Sequence, residues 1–278
     1  MGPKINMFGS QTDIVIYSFY SIIPIAVIMY YVYRRDRFPE PVRVVGVTFL
    51  LGVATVFPIS LLIPVVEGFA ETLYLSGESP YFYESFVRAA FLEETAKWIV
   101  LLLFCIKLNE FNEPMDALVY GVAVSLGFAA FENWEYVISP IYDNDLELAS
   151  TIAILRSFTA VPLHATAGVF MGLFLLKAVF GKTNNRLYVI LSLLFPVLLH
   201  GTYNYILISP NIDEILIYPL LICIVISVII IFRKERAKQD KKYFEVENKH
   251  RAINQSDILS SIFTTLIILT FTVFILNS

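Results

Sequence analysis

Apolar runs of about 20 residues recur eight times along the chain, each about the length of a helix that crosses a bilayer core. They lie near residues 14–33, 42–66, 84–106, 115–138, 151–178, 187–208, 214–232 and 258–277. Backbone in hydrocarbon must satisfy its polar groups internally, so lipid-facing runs of this length must be helical. Composition agrees. Residues of the AVILMFWYC set make up 57% of the chain, charged residues 16%, and mean hydropathy is +0.70, whereas a soluble domain is nearer half apolar and a quarter charged. The expected fold class is all-α, a polytopic membrane helix bundle of about eight spans, with residues 1–278 as a single membrane domain. Pro39, Pro41, Pro80, Pro114, Pro140 and Pro210 are expected in the connections. No internal repeat stands out.

The distribution of basic residues orients these spans. Connections 1–2, 3–4, 5–6 and 7–8, with the helix ends beside them, hold 16 of the 20 Lys and Arg residues, eight of them between Arg233 and Arg251. Connection 4–5, by contrast, is acidic through Tyr142-Asp-Asn-Asp-Leu-Glu147. Both termini are therefore expected outside the cytoplasm, with 233–257 as a cytoplasmic basic loop facing anionic lipid or water. The first run ends in Arg34-Arg35-Asp36-Arg37 without a small-residue cleavage site, and so reads as an anchor. Cys105 and Cys223 both fall within apolar runs, so neither a disulfide nor redox chemistry is expected.

Four of the runs carry polar groups that lipid would not tolerate. The third contains Glu93-Glu94-x-x-Lys97, and the fourth contains Phe131-Glu132-Asn-Trp-Glu135-Tyr136. Arg156 and His164 lie in the fifth, with Gly168 one turn beyond; the sixth reads His200-Gly-Thr-Tyr-Asn204. One acidic side chain at the centre of a span costs roughly 2.5–3.5 kcal/mol on insertion scales. Neighbouring carboxylates oppose each other's ionisation. Spacing places Lys97 on one helical face with either glutamate, and His200 above Asn204. Spans 3 and 5 run inward and spans 4 and 6 outward, so all these groups can meet between the bilayer middle and its outer leaflet.

That set of residues fits hydrolysis. A glutamate near cations but away from bulk water can act as general base toward water. Histidines and an asparagine amide can hold the oxyanion formed at a carbonyl. Neither a Gly-x-Ser-x-Gly elbow nor a cysteine lies in the polar layer, which argues against a covalent nucleophile. His164, His200 and Glu132 also satisfy a His₂Glu-type zinc site with an open water position. A metal-free glutamate mechanism uses the same residues, and both readings stand. Lys97, Glu132, Arg156 and Tyr136 are expected to support the site, Arg156 by pairing with a glutamate.

Glu93-Glu94-x-x-Lys97, Phe131-Glu132-x-x-x-Tyr136, His164-x-x-x-Gly168 and His200-x-x-x-Asn204 occur in the order of the motifs of the PrsW intramembrane proteases, and the chain resembles that family over residues 84–208. It is a branch of the superfamily of CAAX prenyl proteases and bacteriocin-processing enzymes. The resemblance implies a four-helix catalytic core within 84–208 that hydrolyses a peptide bond of a membrane-anchored protein, such as an anti-sigma factor, on the extracytoplasmic side. It further implies that Glu93 with His164 activates water, that His200 with Asn204 binds the oxyanion, and that Glu94 orients Lys97 or Arg156. CAAX enzymes usually carry Glu-Glu-x-x-x-Arg. Here the basic residue, Lys97, comes one position earlier, so prenylated substrates are not expected.

Two other classes compete on the same residues. A ceramidase-like lipid amidase also uses intramembrane histidines and carboxylates, but its serine and aspartate ligands do not stand out here. A proton- or cation-coupled transporter would relay protons through Glu93, Glu94 and Glu132, but the repeated halves common in transporters are not visible. The lipid bilayer and a membrane-anchored protein are the expected partners; no nucleic acid is.

Overall fold

The structure is a computed structural model that describes residues 11–181, 185–239 and 253–277. Lys4, Lys182, His250 and the middle of the basic 233–257 segment lie outside the described residues. The helices are α1 (Gln11–Arg35), α2 (Val42–Ala54), α3 (Val56–Thr72), α4 (Ser79–Phe82), a π-helical stretch (Tyr83–Phe91), α5 (Leu92–Leu103), α6 (Pro114–Tyr142), α7 (Leu146–Phe158), α8 (Ala160–Phe180), α9 (Asn185–Ile208), α10 (Ile217–Gln239) and α11 (Gln255–Leu276). Among the described residues, seven segments are long and apolar enough to cross a membrane, with α2–α3 and α7–α8 each counting as one. The fold is thus the expected polytopic helical bundle, and the chain is an integral membrane protein.

The remaining expected span, α4 through α5, carries Glu84, Arg88, Glu93, Glu94 and Lys97, too many charges for an ordinary lipid-facing helix. Ties at its two ends nevertheless place it across the bundle. At one end Ser76 N–H donates to Asn277 Oδ1 (2.7 Å), and Glu78 accepts from the hydroxyls of Tyr205 (2.7 Å) and Ser209 (3.0 Å) and from the Asn211 amide. At the other, Gln239 Nε2 donates to both Asp36 and Glu113. The chain from Glu78 to Glu113 therefore runs from one end of the bundle to the other.

Two expected spans are broken, and the same physics breaks both. Proline lacks an N–H and its ring crowds the carbonyl four residues earlier. Pro58 accordingly coincides with the end of α2 at Ala54, and Pro162 with the end of α7 at Phe158. Pro140 departs from expectation in the other direction: it sits in the last turn of α6 rather than in a connection.

Helix α6 is the centre of the bundle, buried from Met115 to Ala129. Small residues let its neighbours approach backbone to backbone, as is common between membrane helices. A Cβ on Gly168 would lie 2.3 Å from the Gly121 carbonyl oxygen, and one on Gly127 2.0 Å from that of Phe49. Helix α8 is thereby pressed against α6 one turn from His164, and α2 against a neighbouring face. Trp98 Nε1 donates to Ser192 Oγ (2.8 Å), joining α5 to α9.

Candidate active site

Glu93, Glu94 and Lys97 open α5 directly after the π-helical stretch. π-helical geometry within α-helices is frequent at functional sites. Here the stretch seats the Phe86 ring against Gly201, where any added Cβ would overlap it. This draws the start of α5 toward His200 on α9.

Glu94 and Lys97 are fully buried, and Glu93 is 13% exposed toward a cavity. Lys97 Nζ lies 2.8 Å from Glu94 Oε1, 3.6 Å from Glu93 Oε2 and 3.4 Å from His164 Nδ1. Its ammonium also rests 3.9 Å from the centre of the Phe128 ring, a favourable cation–π position. His200 Nδ1 lies 2.9 Å from Glu94 Oε1 and 3.8 Å from Glu93 Oε2. The two imidazoles meet edge to face with centroids 5.0 Å apart.

Helices α6, α7 and α8 supply the second half. His164 Nε2 lies 2.7 Å from Glu132 Oε2, which Arg156 Nη2 also contacts at 2.8 Å. Arg156 Nε donates to Asn133 Oδ1 (2.8 Å), and Asn133 Nδ2 donates to the Ser21 carbonyl (2.6 Å). The guanidinium stands 4.2 Å over the Tyr136 ring. The break after Phe158 leaves Arg156 on α7 and His164 on α8, so both reach Glu132 from different helices.

These groups surround a cavity of about 300 Å³ lined by Glu93, Glu132, Tyr136, His164, His200 and Asn204. A larger space of about 710 Å³ shares Arg88, Glu93, Glu132 and Tyr136 with it and continues between α3 and α6, past Phe57, Ser60 and Glu135. Glu93, Glu94, Lys97, Glu132, Tyr136, Arg156, His164, His200 and Asn204 thus contribute to one region. Arg88, Phe128 and Asn133 belong there as well, although no role was read for them from sequence. Phe128 lies one turn before Glu132, so helical spacing carried that signal. Arg88 pairs with Glu84 (3.0 Å) and Glu67 (3.2 Å).

A buried cluster of two histidines, three glutamates and a lysine inside a helical membrane bundle defines a class: a polytopic membrane enzyme with an intramembrane hydrolytic centre. The family is specific. A family model described as PrsW family intramembrane metalloprotease matches residues 40–232. The chain is 38% identical to Protease PrsW of Bacillus subtilis (strain 168) over 188 residues, 67% of this chain and 80% of that one. It is 37% identical to Protease PrsW of Geobacillus kaustophilus (strain HTA426) over 189 residues, 68% and 78% of the two chains. Protease PrsW of Oceanobacillus iheyensis is 32% identical over 222 residues, 79% of this chain and 94% of that one. No solved structure matches the chain. The chain belongs to the PrsW family of intramembrane metalloproteases.

The residues fit the metal that this family name implies. One ligand atom from each of Glu93, Glu94, His164 and His200 lies within 4.8 Å of the other three. Glu93 Oε2 and Glu94 Oε2 are buried without a hydrogen-bond partner. Imidazole with carboxylate is a donor set suited to zinc and its neighbours. Glu132 would then stand behind the ligands, fixing the ring of His164 as carboxylates commonly do for metal-bound histidine.

Proposed function

We propose that this enzyme hydrolyses a peptide bond of a single-span, membrane-anchored protein of the anti-sigma-factor kind, at the cavity between α5, α6, α8 and α9. The catalytic core is residues 84–208. The observation that carries this reading is the position of Glu93. Its carboxylate faces the cavity and is held near Lys97 and His200 without being consumed by a hydrogen bond to either.

Glu93 takes the proton of the attacking water, with His164 bordering the same volume. Glu94, enclosed, holds Lys97 and the Nδ1 side of His200 in place. The Nε2 side of His200 remains for the substrate. With Nδ1 donating to Glu94, a proton on Nε2 makes this ring an imidazolium, and the two glutamates supply the negative charge that such a form needs. His200 Nε2 and the Asn204 amide, one helical turn apart, then stabilise the oxyanion of the tetrahedral intermediate. The Arg156–Glu132–His164 chain orients the His164 ring. Zinc would need a neutral His200 in place of this imidazolium; held by His164, His200 and the glutamates, it would supply Lewis-acid polarisation and a more acidic water.

The space between α3 and α6 admits the substrate laterally, because its walls are apolar side chains of α2 and α3 and its floor is Glu93. The site lies nearer the end of the bundle that carries Tyr142 and Ile208: Glu132 is ten residues from Tyr142 and 18 from Pro114. By the Lys and Arg distribution this end is extracytoplasmic, and both termini lie on that side. Purified enzyme in liposomes with a single-span peptide tests the proposal. Cleavage near the outer interface, lost in His164→Ala and in His200→Ala, is expected. Cleavage that survives both substitutions would refute it.

A further inference from the structure

At the opposite end of the bundle, four acidic side chains converge from two separate parts of the chain. Asp36 and Glu40 come from the α1–α2 connection, and Glu113 and Asp116 from the start of α6. Each is at most 6% exposed. Among the described residues no lysine or arginine forms an ion pair with any of them. Like charges packed in this way favour a bound proton or a bound cation.

The geometry discriminates further. In both aspartates one oxygen is anchored and the other is free. Asp36 Oδ1 accepts from Phe38 N–H (2.9 Å) and Gln239 Nε2 (2.8 Å). Asp116 Oδ2 accepts from Asn112 N–H (2.8 Å) and Glu113 N–H (2.7 Å). Asp36 Oδ2 and Asp116 Oδ1 are buried with no partner. The Tyr120 hydroxyl, one helical turn beyond Asp116 and fully buried, is turned toward Glu40 but has no partner within 3.5 Å in hydrogen-bond geometry among the described residues. The surrounding backbone is held: Tyr33 OH donates to the Glu40 carbonyl (2.9 Å), and Glu40 stands between Pro39 and Pro41. One ligand atom from each of Asp36, Glu113 and Asp116 lies within 4.8 Å of the others. Oxygens 2.3–2.6 Å from a calcium-sized ion can be at most about 4.6–5.2 Å apart, so this spacing suits such an ion, and a modest contraction suits magnesium.

We propose that Asp36, Glu113 and Asp116, with Glu40 beside them, form a second cation site that takes one hard divalent ion of the Mg²⁺ or Ca²⁺ class. All donors are oxygens, the choice of hard ions and not of zinc. The ion would fasten the end of α1 to the start of α6, the helix that carries Glu132, with the end of α10 joined through Gln239.

The test is Mn²⁺ binding to the full-length protein in detergent, followed by electron paramagnetic resonance, together with thermal unfolding in Mg²⁺ or Ca²⁺. The His164→Ala/His200→Ala variant separates this site from the catalytic one. Expected is one Mn²⁺ per chain retained in that variant, displaced by Mg²⁺ or Ca²⁺, and lost in Asp36→Asn/Asp116→Asn. Millimolar Mg²⁺ or Ca²⁺ should raise the midpoint of the histidine variant by about 2–4 °C. Mn²⁺ binding that disappears with the histidines, or that persists in the aspartate variant, overturns the proposal. If the aspartate variant fails to fold, the histidine variant decides: neither Mn²⁺ binding nor a midpoint shift in it overturns the proposal equally.

Discussion

Glu94 holds His200: the Nδ1 of the ring lies 2.9 Å from Glu94 Oε1, and that same oxygen receives Lys97 Nζ at 2.8 Å. One buried carboxylate oxygen therefore fixes two groups of opposite task, a cation beside Glu93 and an imidazole facing the cavity. Glu94→Gln keeps the shape but weakens both contacts. We expect kcat to fall about 10²-fold or more with little change in KM, read on a single-span peptide. Glu94→Ala leaves Lys97 buried without its nearest carboxylate, and should destabilise the fold by about 3–5 kcal/mol, read as a fall in the unfolding midpoint in detergent. A Glu94→Gln enzyme as fast as the parent would remove Glu94 from the mechanism.

Asn204 and His200 are assigned to the oxyanion, a charge that exists only after water has attacked. Asn204→Ala should lower kcat by about 10²–10³-fold and leave peptide affinity within a few-fold. Equal losses in kcat/KM and in binding of a non-cleavable peptide would make Asn204 a substrate-binding residue instead.

Arg156 reaches Glu132 and Asn133 with two different nitrogens, a fork that an ammonium does not reproduce. Arg156→Lys should therefore lose most of the activity that Arg156→Gln loses, although it keeps the charge. Recovery by lysine to within a few-fold of the parent rate would show that charge alone suffices.

Gly168 and Gly121 set the distance between α8 and α6. Gly168→Ala places a methyl 2.3 Å from the Gly121 carbonyl, so the helices must separate. Overpacking of this kind costs about 1–3 kcal/mol. It should also lengthen the His164–Glu132 contact, so activity falls by more than the change in folded fraction explains. Cleavage rate and unfolding midpoint, measured on the same preparation, check this.

Glu78 ties the start of α4 to the end of α9, and the hydrogen bonds from Tyr205 and Asn211 hold its carboxyl below the usual carboxylate range. A carboxyl depressed in the folded state stabilises above its unfolded value, near pH 4.5, and that contribution disappears as pH falls through the lower folded value. The midpoint of the parent should thus fall toward that of Glu78→Gln as the pH drops below about 4.5, and exceed it at neutral pH. Parallel curves for the two proteins would contradict this.

Much of this arrangement is legible in the residues. Hydropathy places every long helix, and the spacing Glu93-Glu94-x-x-Lys97 specifies the ion pair that forms. The breaks after Ala54 and Phe158 coincide with Pro58 and Pro162, but Pro24, Pro64 and Pro196 sit inside unbroken helices. Proline position alone therefore does not mark them, and apolar run length hides them because both halves remain hydrophobic. Partner choice is less legible. Arg156 reads as a partner for some glutamate, yet only the crossing of α7 over α6 selects Glu132. The acidic cluster is hidden for a different reason: Asp36, Glu113 and Gln239 are distant in sequence, each looks like a solvated loop residue, and only packing shows that they are enclosed.

The central claim is that Glu93 activates the attacking water. The most direct measurement is single-turnover cleavage of a single-span peptide by parent and Glu93→Gln enzyme in liposomes, with peptide binding and unfolding midpoint recorded alongside. Loss of about 10²–10⁴-fold in rate, with binding and midpoint close to those of the parent, is the predicted result. A Glu93→Gln enzyme that folds, binds and cleaves within a few-fold of the parent would contradict the account.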